Sequence, residues 1–344
     1  MSRWVERLFY PDHPEGPLRE LVLSPLAVVE SVFAAGVQAR TAARTHGWLR
    51  AQRVPELRVV SVGNVLVGGT GKTPVVRALA ERLLARGRRV AVLSRGYGRV
   101  STGQIRVEGP PWPEASRCGD EPLMLARSLP GATVWVGEDR VNLARLAARC
   151  GAAVAILDDG FQQWRLAPDV DVVVVDEAVG LGNGHLLPRG PLRESPRALG
   201  RASLLWVRAA ETPVSVPWPE GVPRVRARHG PRDVHAPDGE VHPVDVLRGR
   251  RVVGFAAIGR PSAFRRSLES LGAEVVGFTG FPDHHGFGAT ELRVLERQAA
   301  DAGAWLVTTE KDGVRCPEGA PVHVLRQGVE VLEGEEHLDR LLLC

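Results

Sequence analysis

The stretch VGNVLVGGTGKTPVVRALAERL, residues 62–83, joins an apolar run to a helix-like run through a glycine-rich turn that ends in Lys72 and Thr73. In a phosphate loop of the form G-x-x-x-x-G-K-S/T, backbone N–H groups wrap the phosphates. The Lys meets the β/γ oxygens and the hydroxyl takes Mg²⁺. Gly71, Lys72 and Thr73 match that form, and Gly68, Gly69 and Thr70 complete the turn. Leu66 departs from it, standing where the strict motif has its first glycine. Related ATPases with a K-G-G-x-G-K-T loop carry a second Lys, which would fall here at Val67; its absence argues against that branch.

Outward from this loop, short β-branched runs alternate with helical patterns. LRVVSVGN precedes a helix over about 73–86, RRVAVLSR follows it, and ATVWVG, a helix over about 139–150, AAVAILDD and DVDVVVVDE come later. Continuous apolar strands separated by helices indicate a mostly parallel sheet covered on both faces, an α/β fold of the P-loop NTPase kind. The alternation breaks at residues 211–233, where Pro and Gly crowd together and no helix persists. A second α/β run then begins: RRVVGFAAIG, a helix near 262–271, EVVGFTGF, a helix near 290–302, and WLVTTEKD. We therefore expect two α/β/α sandwich domains, 51–210 and a smaller 234–344, joined by a Pro-rich linker at 211–233, with a helical segment at 1–50 ahead of them.

A chain of 344 residues suits two cores, and an apolar share of 44% with a charged share of 24% speaks against wholesale disorder or a multi-span membrane protein. The net charge of +4 suits contact with phosphate groups but is too small to argue for nucleic acid. Four cysteines, Cys118, Cys150, Cys316 and Cys344, have no Cys-x-x-Cys spacing, which argues against a zinc site or disulfide framework and for a reducing cytoplasm. LVLSPLAVVESVFAAGVQA, residues 21–39, has a membrane flavour, but Pro25 and Glu30 interrupt it. With Arg40, Arg44, Arg50 and Arg53 after it, it reads best as a helix lying on or shallowly in a membrane, ahead of a buried core helix or a true span.

An Mg²⁺–nucleotide site also needs a carboxylate at a neighbouring strand end, which AAVAILDD supplies as Asp158 and Asp159. RCGDEPLMLAR places Asp120 and Glu121 at the start of a helix, as caps, as a base for an attacking hydroxyl, or as a second Mg²⁺ ligand. GFPDHHGFG holds His284 and His285 in a loop, either as surface groups or as proton-handling or metal groups; no third ligand lies at helical spacing, which discounts zinc. SRGYGR (94–99) and GNGHLLPRGPLRES (182–195) bring Arg95, Arg99, Arg189 and Arg193 in loops that read as functional rims of the sheet. TTEKDGVR offers Glu310, Lys311 and Asp312, as a charged turn or as a nucleotide contact.

Taken in order, SVGNVLVGGTGKTPVV, LSRGYGR, GDEP, LDDGFQ, GNGHLLPRGPLRES, FPDHH and TTEKD resemble the tetraacyldisaccharide 4'-kinase family of lipid A biosynthesis over nearly the whole chain. That family's loop does not keep the first glycine, which accommodates Leu66. The resemblance implies a kinase that moves the γ-phosphate of ATP to the 4' hydroxyl of tetraacyldisaccharide 1-phosphate, giving lipid IVA, on the cytoplasmic face of the bacterial inner membrane. It implies ATP and Mg²⁺ as cofactors, a lipid acceptor and no nucleic acid or obligate protein partner. Motif for motif, Lys72 would hold the β/γ phosphates, Thr73 the Mg²⁺, Asp120 would be the base and His284 its partner. Glu121, Asp158 and Asp159 would arrange Mg²⁺ and phosphates, and Arg193 would stabilise the transferring charge. If Asp120 and His284 come from different domains, closure of a cleft assembles the site. Two rivals stand against this reading: a P-loop switch or partitioning ATPase, and a soluble small-metabolite kinase whose N-terminal helix is core.

Overall fold

The structure is a computed structural model that describes Phe9 and residues 23–343. The expected N-terminal segment is therefore described only in part, and the remainder of residues 1–22 lies outside the described residues. Its described helix is α1 (Leu26–Thr45), which buries no residue fully and exposes Val28, Val29 and Val32. Among the described residues no helix is long and apolar enough to cross a membrane.

The strand ahead of the glycine-rich turn is β1 (Arg58–Gly63), and the turn leads into α2 (Lys72–Ala85). There follow β2 (Val90–Ser94), β3 (Ile105–Val107), the short α3 (Ala115–Cys118), α4 (Asp120–Ser128) and β4 (Thr133–Val136). Next come α5 (Arg140–Arg149), β5 (Val154–Asp158), β6 (Val170–Asp176) and β7 (Leu204–Arg208). β1 lies between β5 and β6, parallel to both, with β2 and β4 extending the parallel run on the β5 side. Because side chains alternate across a strand, Val60 and Val62 of β1 pack with Val75, Leu79 and Leu83 of α2 and Leu123 of α4. Val59 faces the other way, toward Val141 and Leu143 of α5. This two-sided burial is why the strand reads as a near-continuous apolar run, broken only by the buried Ser61.

The second run comprises β8 (Arg224–His235), β9 (Val241–Pro243), β10 (Arg251–Ala256), α6 (Pro261–Ser270), β11 (Glu274–Gly280), α7 (Ala289–Asp301) and β12 (Trp305–Thr309). It closes with α8 (Glu310–Gly313), β13 (His323–Glu333) and α9 (Glu335–Leu343). Val253 and Phe255 of β10 pack with Leu292 and Leu295 of α7, while Val252 and Ala256 pack with Phe264 and Leu268 of α6. The result is the mixed α/β, mostly parallel architecture expected, with layers on both faces of each half.

The joint differs from the expected linker. Residues 224–233 belong to β8, which pairs parallel with β7 through Arg224–Ala227 and antiparallel with β13 through Arg226–His235. The halves thus share one 13-stranded sheet, in the order β11-β10-β12-β13-β8-β7-β6-β1-β5-β2-β4-β3, with β9 on β8. The expected boundary at 234 also leaves out a return: Leu338 and Leu342 of α9 lie in the same core as Val60 and Leu79. Arg58 donates to the Leu341 carbonyl at 2.6 Å, and Arg82 of α2 donates to Asp339 at 2.8 Å. The chain's end therefore packs on the first half.

Candidate active site

The loop from Asn64 to Gly71 leaves the end of β1 and enters α2 with Gly71 in the left-handed region at φ 80°. A Cβ there would sit 3.0 Å from His229 Nδ1, so position 71 requires glycine for both its conformation and its space. Leu66 is 2% exposed and bridges Leu192, while Val67 N donates to Pro191 O at 2.8 Å and Arg193 N to Val65 O at 2.7 Å. The residue at the missing glycine position is therefore a core residue zipped to the 182–195 loop, and the turn's freedom comes from Gly68 (φ 103°) and Gly71. Inside the turn, buried Asn64 donates to Thr70 Oγ1 at 2.8 Å and accepts from Lys72 Nζ at 3.4 Å, and Gln162 donates to the Asn64 carbonyl at 2.8 Å.

Asp158 ends β5 and Asp159 follows it, beside the loop, with different surroundings. Asp159 lies 3.4 Å from Lys72 Nζ and accepts from Arg193 Nη1 at 2.9 Å, also taking φ 56°. Burial would raise its pKa, but the Lys72 and Arg193 charges outweigh it and hold the carboxyl below its usual value. Asp158 is 5% exposed and accepts from Ser94 Oγ at 3.1 Å. Burial first, then the neighbouring Glu121 and Asp159 charges, push its pKa up to about 7. Two adjacent acids thus have opposite characters, one pinned to the protein's own cations and one held where a further cation is wanted.

Asp120 opens α4 after Gly119, which takes φ 95°. A Cβ at position 119 would stand 3.2 Å from Gly96 Cα, so glycine there lets the SRGYGR loop seat against the start of the helix. The Asp120 carboxylate does not cap the helix. It faces the second half, where His284 Nδ1 is 3.0 Å from Oδ2, and Arg315 donates to the same oxygen from Nε at 2.9 Å and Nη2 at 2.6 Å. Burial opposes ionisation, but Arg315 and then His284 outweigh it and keep the Asp120 pKa low. His284 itself takes φ 63°, and Lys311 Nζ is 3.4 Å from its Nε2. The Asp120–His284 pair foreseen across the two halves is therefore in contact.

Other foreseen residues go elsewhere. His285 pairs with Glu291 at 3.1 Å and stacks on Phe281, away from Asp120. Arg99 donates to Gly103 O, Arg95 is exposed, and Arg189 lies 3.5 Å from Glu30 of α1. Glu310 forms a buried ion pair with Arg77 of α2 at 2.5 Å, and Asp312 is fully buried. Sequence reasoning missed Asn64, Ser94 and Gln162, whose roles depend on the loop's path, and Arg315, which ends TTEKDGVR with nothing in its local spacing to suggest a role. It also missed His229, which falls in the expected linker.

A family model described as tetraacyldisaccharide-1-P 4'-kinase matches residues 19–343. The chain belongs to this family. A tetraacyldisaccharide 4'-kinase of Anaeromyxobacter dehalogenans (strain 2CP-C) is 44% identical, covering 98% of this chain and 94% of the relative. One from Syntrophus aciditrophicus (strain SB) is 42% identical over 85% of each. Among solved structures, LpxK from Aquifex aeolicus in complex with ATP matches with a TM-score of 0.81 at 32% identity, covering 94% of this chain and 98% of that one. In this tetraacyldisaccharide 4'-kinase family member, the phosphate loop, the Asp158–Asp159 strand end, Asp120 and His284 come from four separate parts of the chain.

Proposed function

We propose that the chain is an ATP-dependent 4'-kinase of lipid A biosynthesis, transferring the γ-phosphate of ATP to the 4' hydroxyl of tetraacyldisaccharide 1-phosphate to give lipid IVA. The observation that carries this reading is the Asp120–His284 pair in a family member that also has a phosphate loop; a switch ATPase needs no such base for an acceptor hydroxyl. Phosphoryl transfer asks the protein for positioning and charge neutralisation more than covalent chemistry. Backbone N–H groups of residues 68–73 at the start of α2 are suited to the phosphates. Lys72, oriented by Asn64 and Asp159, meets the β/γ oxygens, and Arg193, held by Asp159, faces the transferring charge.

The donor set fits Mg²⁺. Asp158 is buried beside like charges that a dication would relieve, the Thr73 hydroxyl opens α2, and Glu121 adds a third oxygen. Among the described residues no three acids, His or Cys form a metal cluster by themselves, and Mg²⁺ commonly takes one or two carboxylates together with substrate phosphates. When bound, the ion neutralises charge on the β and γ oxygens. Asp120 takes the proton of the acceptor hydroxyl as its oxygen bonds to the γ-phosphorus and the bond to the β–γ bridging oxygen breaks, releasing ADP. His284 holds Asp120 and stabilises the proton after transfer.

The acceptor's four acyl chains remain in a membrane, so the enzyme comes to them. The exposed Val28, Val29 and Val32 of α1, followed by Arg40, Arg44 and Arg50, suit a peripheral stance on the cytoplasmic face of the inner membrane. Closure between the halves about their joint completes the reading. Transfer of γ-labelled phosphate from ATP to tetraacyldisaccharide 1-phosphate in mixed micelles, with Mg²⁺ and with Lys72→Ala as control, tests it. A labelled lipid from the parent alone supports the kinase; ATP bound with no labelled lipid sinks it.

A further inference from the structure

Arg315 touches both members of the Asp120–His284 pair, yet it cannot act as base or acid in its own right. A guanidinium stays protonated in proteins and offers only donors. Its side chain is 4% exposed and is clamped from behind: Nη1 donates to Asp312 Oδ1 at 2.9 Å and to the Ala257 carbonyl at 3.1 Å. Asp312 is held in turn by the Thr309 hydroxyl at 2.6 Å and by Ala257 N at 3.1 Å. The cation thus rests on a buried frame formed by the end of β10 and the TTEKDGVR turn.

From that frame it presents Nε and Nη2 to a single oxygen of Asp120. Both bonds, and the His284 contact, fall on Oδ2. None of the described residues hydrogen-bonds Oδ1. A carboxylate with one oxygen carrying three donors and the other bare cannot rotate to exchange them without losing all three. We propose that Arg315 is a positioning residue for the transfer: it fixes Asp120 by Oδ2 and leaves Oδ1 as the oxygen that receives the acceptor's proton. This rests on Asp120 being the base in the kinase reading above.

The arrangement trades basicity for aim. A cation in contact with a carboxylate weakens it as a base, so removing Arg315 would speed the reaction if base strength governed the rate. If aim governs, removal slows it, since misplacement of a reacting group by about 1 Å costs on the order of 100-fold. The same turn also sends Glu310 to Arg77 of α2, so the frame that aims Asp120 is tied to the helix that begins at the phosphate loop.

The test uses the full chain with labelled ATP and tetraacyldisaccharide 1-phosphate. Arg315→Met is expected to lower kcat roughly 10- to 100-fold and to leave the KM for ATP within about 3-fold, the split of a residue that acts in the transition state. Arg315→Lys, which keeps the charge but not the fork, is expected to recover part of the loss. In an Asp120→Asn background Arg315→Met is expected to cost little more, because the carboxylate it aims is gone. A kcat within about 2-fold of the parent, or an equal loss in both backgrounds, would overturn the proposal, since a residue that aims the base must act through it. Should Arg315→Met fail to melt cooperatively, the same cycle run with Arg315→Lys decides by the same criteria. A parent that binds ATP but labels no lipid would instead overturn the kinase reading.

Discussion

Glu30, in the second turn of α1, accepts the backbone N–H of Leu186 at 2.9 Å. His185 Nδ1 and Arg189 Nη1 stand 3.3 and 3.5 Å from the same carboxylate. The acid that spoils α1 as a membrane span is therefore the residue that ties it to the 182–195 loop, the loop that ends beside the phosphate site at Arg193.

Glu30→Leu makes α1 more apolar while removing that tie. Association with anionic vesicles should be kept or tightened, whereas stability falls by about 1 kcal/mol, the usual net worth of a hydrogen bond to a part-buried donor. Flotation and melting measured on one preparation check both. Loss of vesicle association would mean that Glu30 orients the helix on the membrane rather than tying it to the loop.

Asp120→Asn should lower kcat by roughly 10²- to 10⁴-fold, the usual reach of general base catalysis, with little change in the KM for ATP. His284→Ala should cost less, and the double variant should be little worse than Asp120→Asn alone, since His284 acts through the carboxylate. Steady-state kinetics decide it. Weakening of ATP binding in step with kcat would make Asp120 a nucleotide or metal ligand instead.

The raised pKa of Asp158, about 7, comes first from burial and then from Glu121 and Asp159. Its charged form prevails above that value, so below it Mg²⁺ must displace a proton. The Mg²⁺ concentration for half-maximal activity should fall by up to about 10-fold per pH unit as pH rises toward 7, then level off. Asp158→Asn should flatten this dependence. A slope that survives the substitution would assign the proton to another group.

Trp206 Nε1 donates to His229 Nε2 at 3.0 Å, and burial, then Arg208, lower the His229 pKa to about 4. An unfolded chain binds that proton near pH 6.5 while the folded one waits until about 4, so this residue withdraws stability as pH falls between the two and has no effect above. Asp158 pulls the opposite way, which hides the effect in the parent alone. His229→Gln keeps an acceptor for Trp206, and its melting temperature should drop less than the parent's from about pH 7 to about pH 5. Equal drops would show that His229 takes its proton normally.

The parallel core was legible because strands such as β1 and β5 are buried on both faces and read as near-continuous apolar runs. β8 was not, because Arg224, Arg226 and Arg228 alternate with smaller residues and Gly230 and Pro231 follow. It persists as a strand because β7 and β13 both pair with it, with a register irregularity in the β13 ladder beside Pro231 that accommodates the missing donor. The phosphate loop and the two strand-end acids follow from local spacing, so they could be read directly. Asp120 and His284 could be nominated by motif, but their contact spans 164 positions. Arg315 belongs to the same long-range chemistry, and its own neighbours in sequence describe only a charged turn.

One consequence follows from the pair β8 and β13. Both strands run from one half into the other, and their antiparallel ladder extends from Arg226 to His235. Any gaping of the cleft must therefore flex this ribbon, because a free swing would tear hydrogen bonds from the middle of the sheet. If the halves open as the kinase reading supposes, the joint would act as a leaf spring that carries His284 and Arg315 away from Asp120 and back.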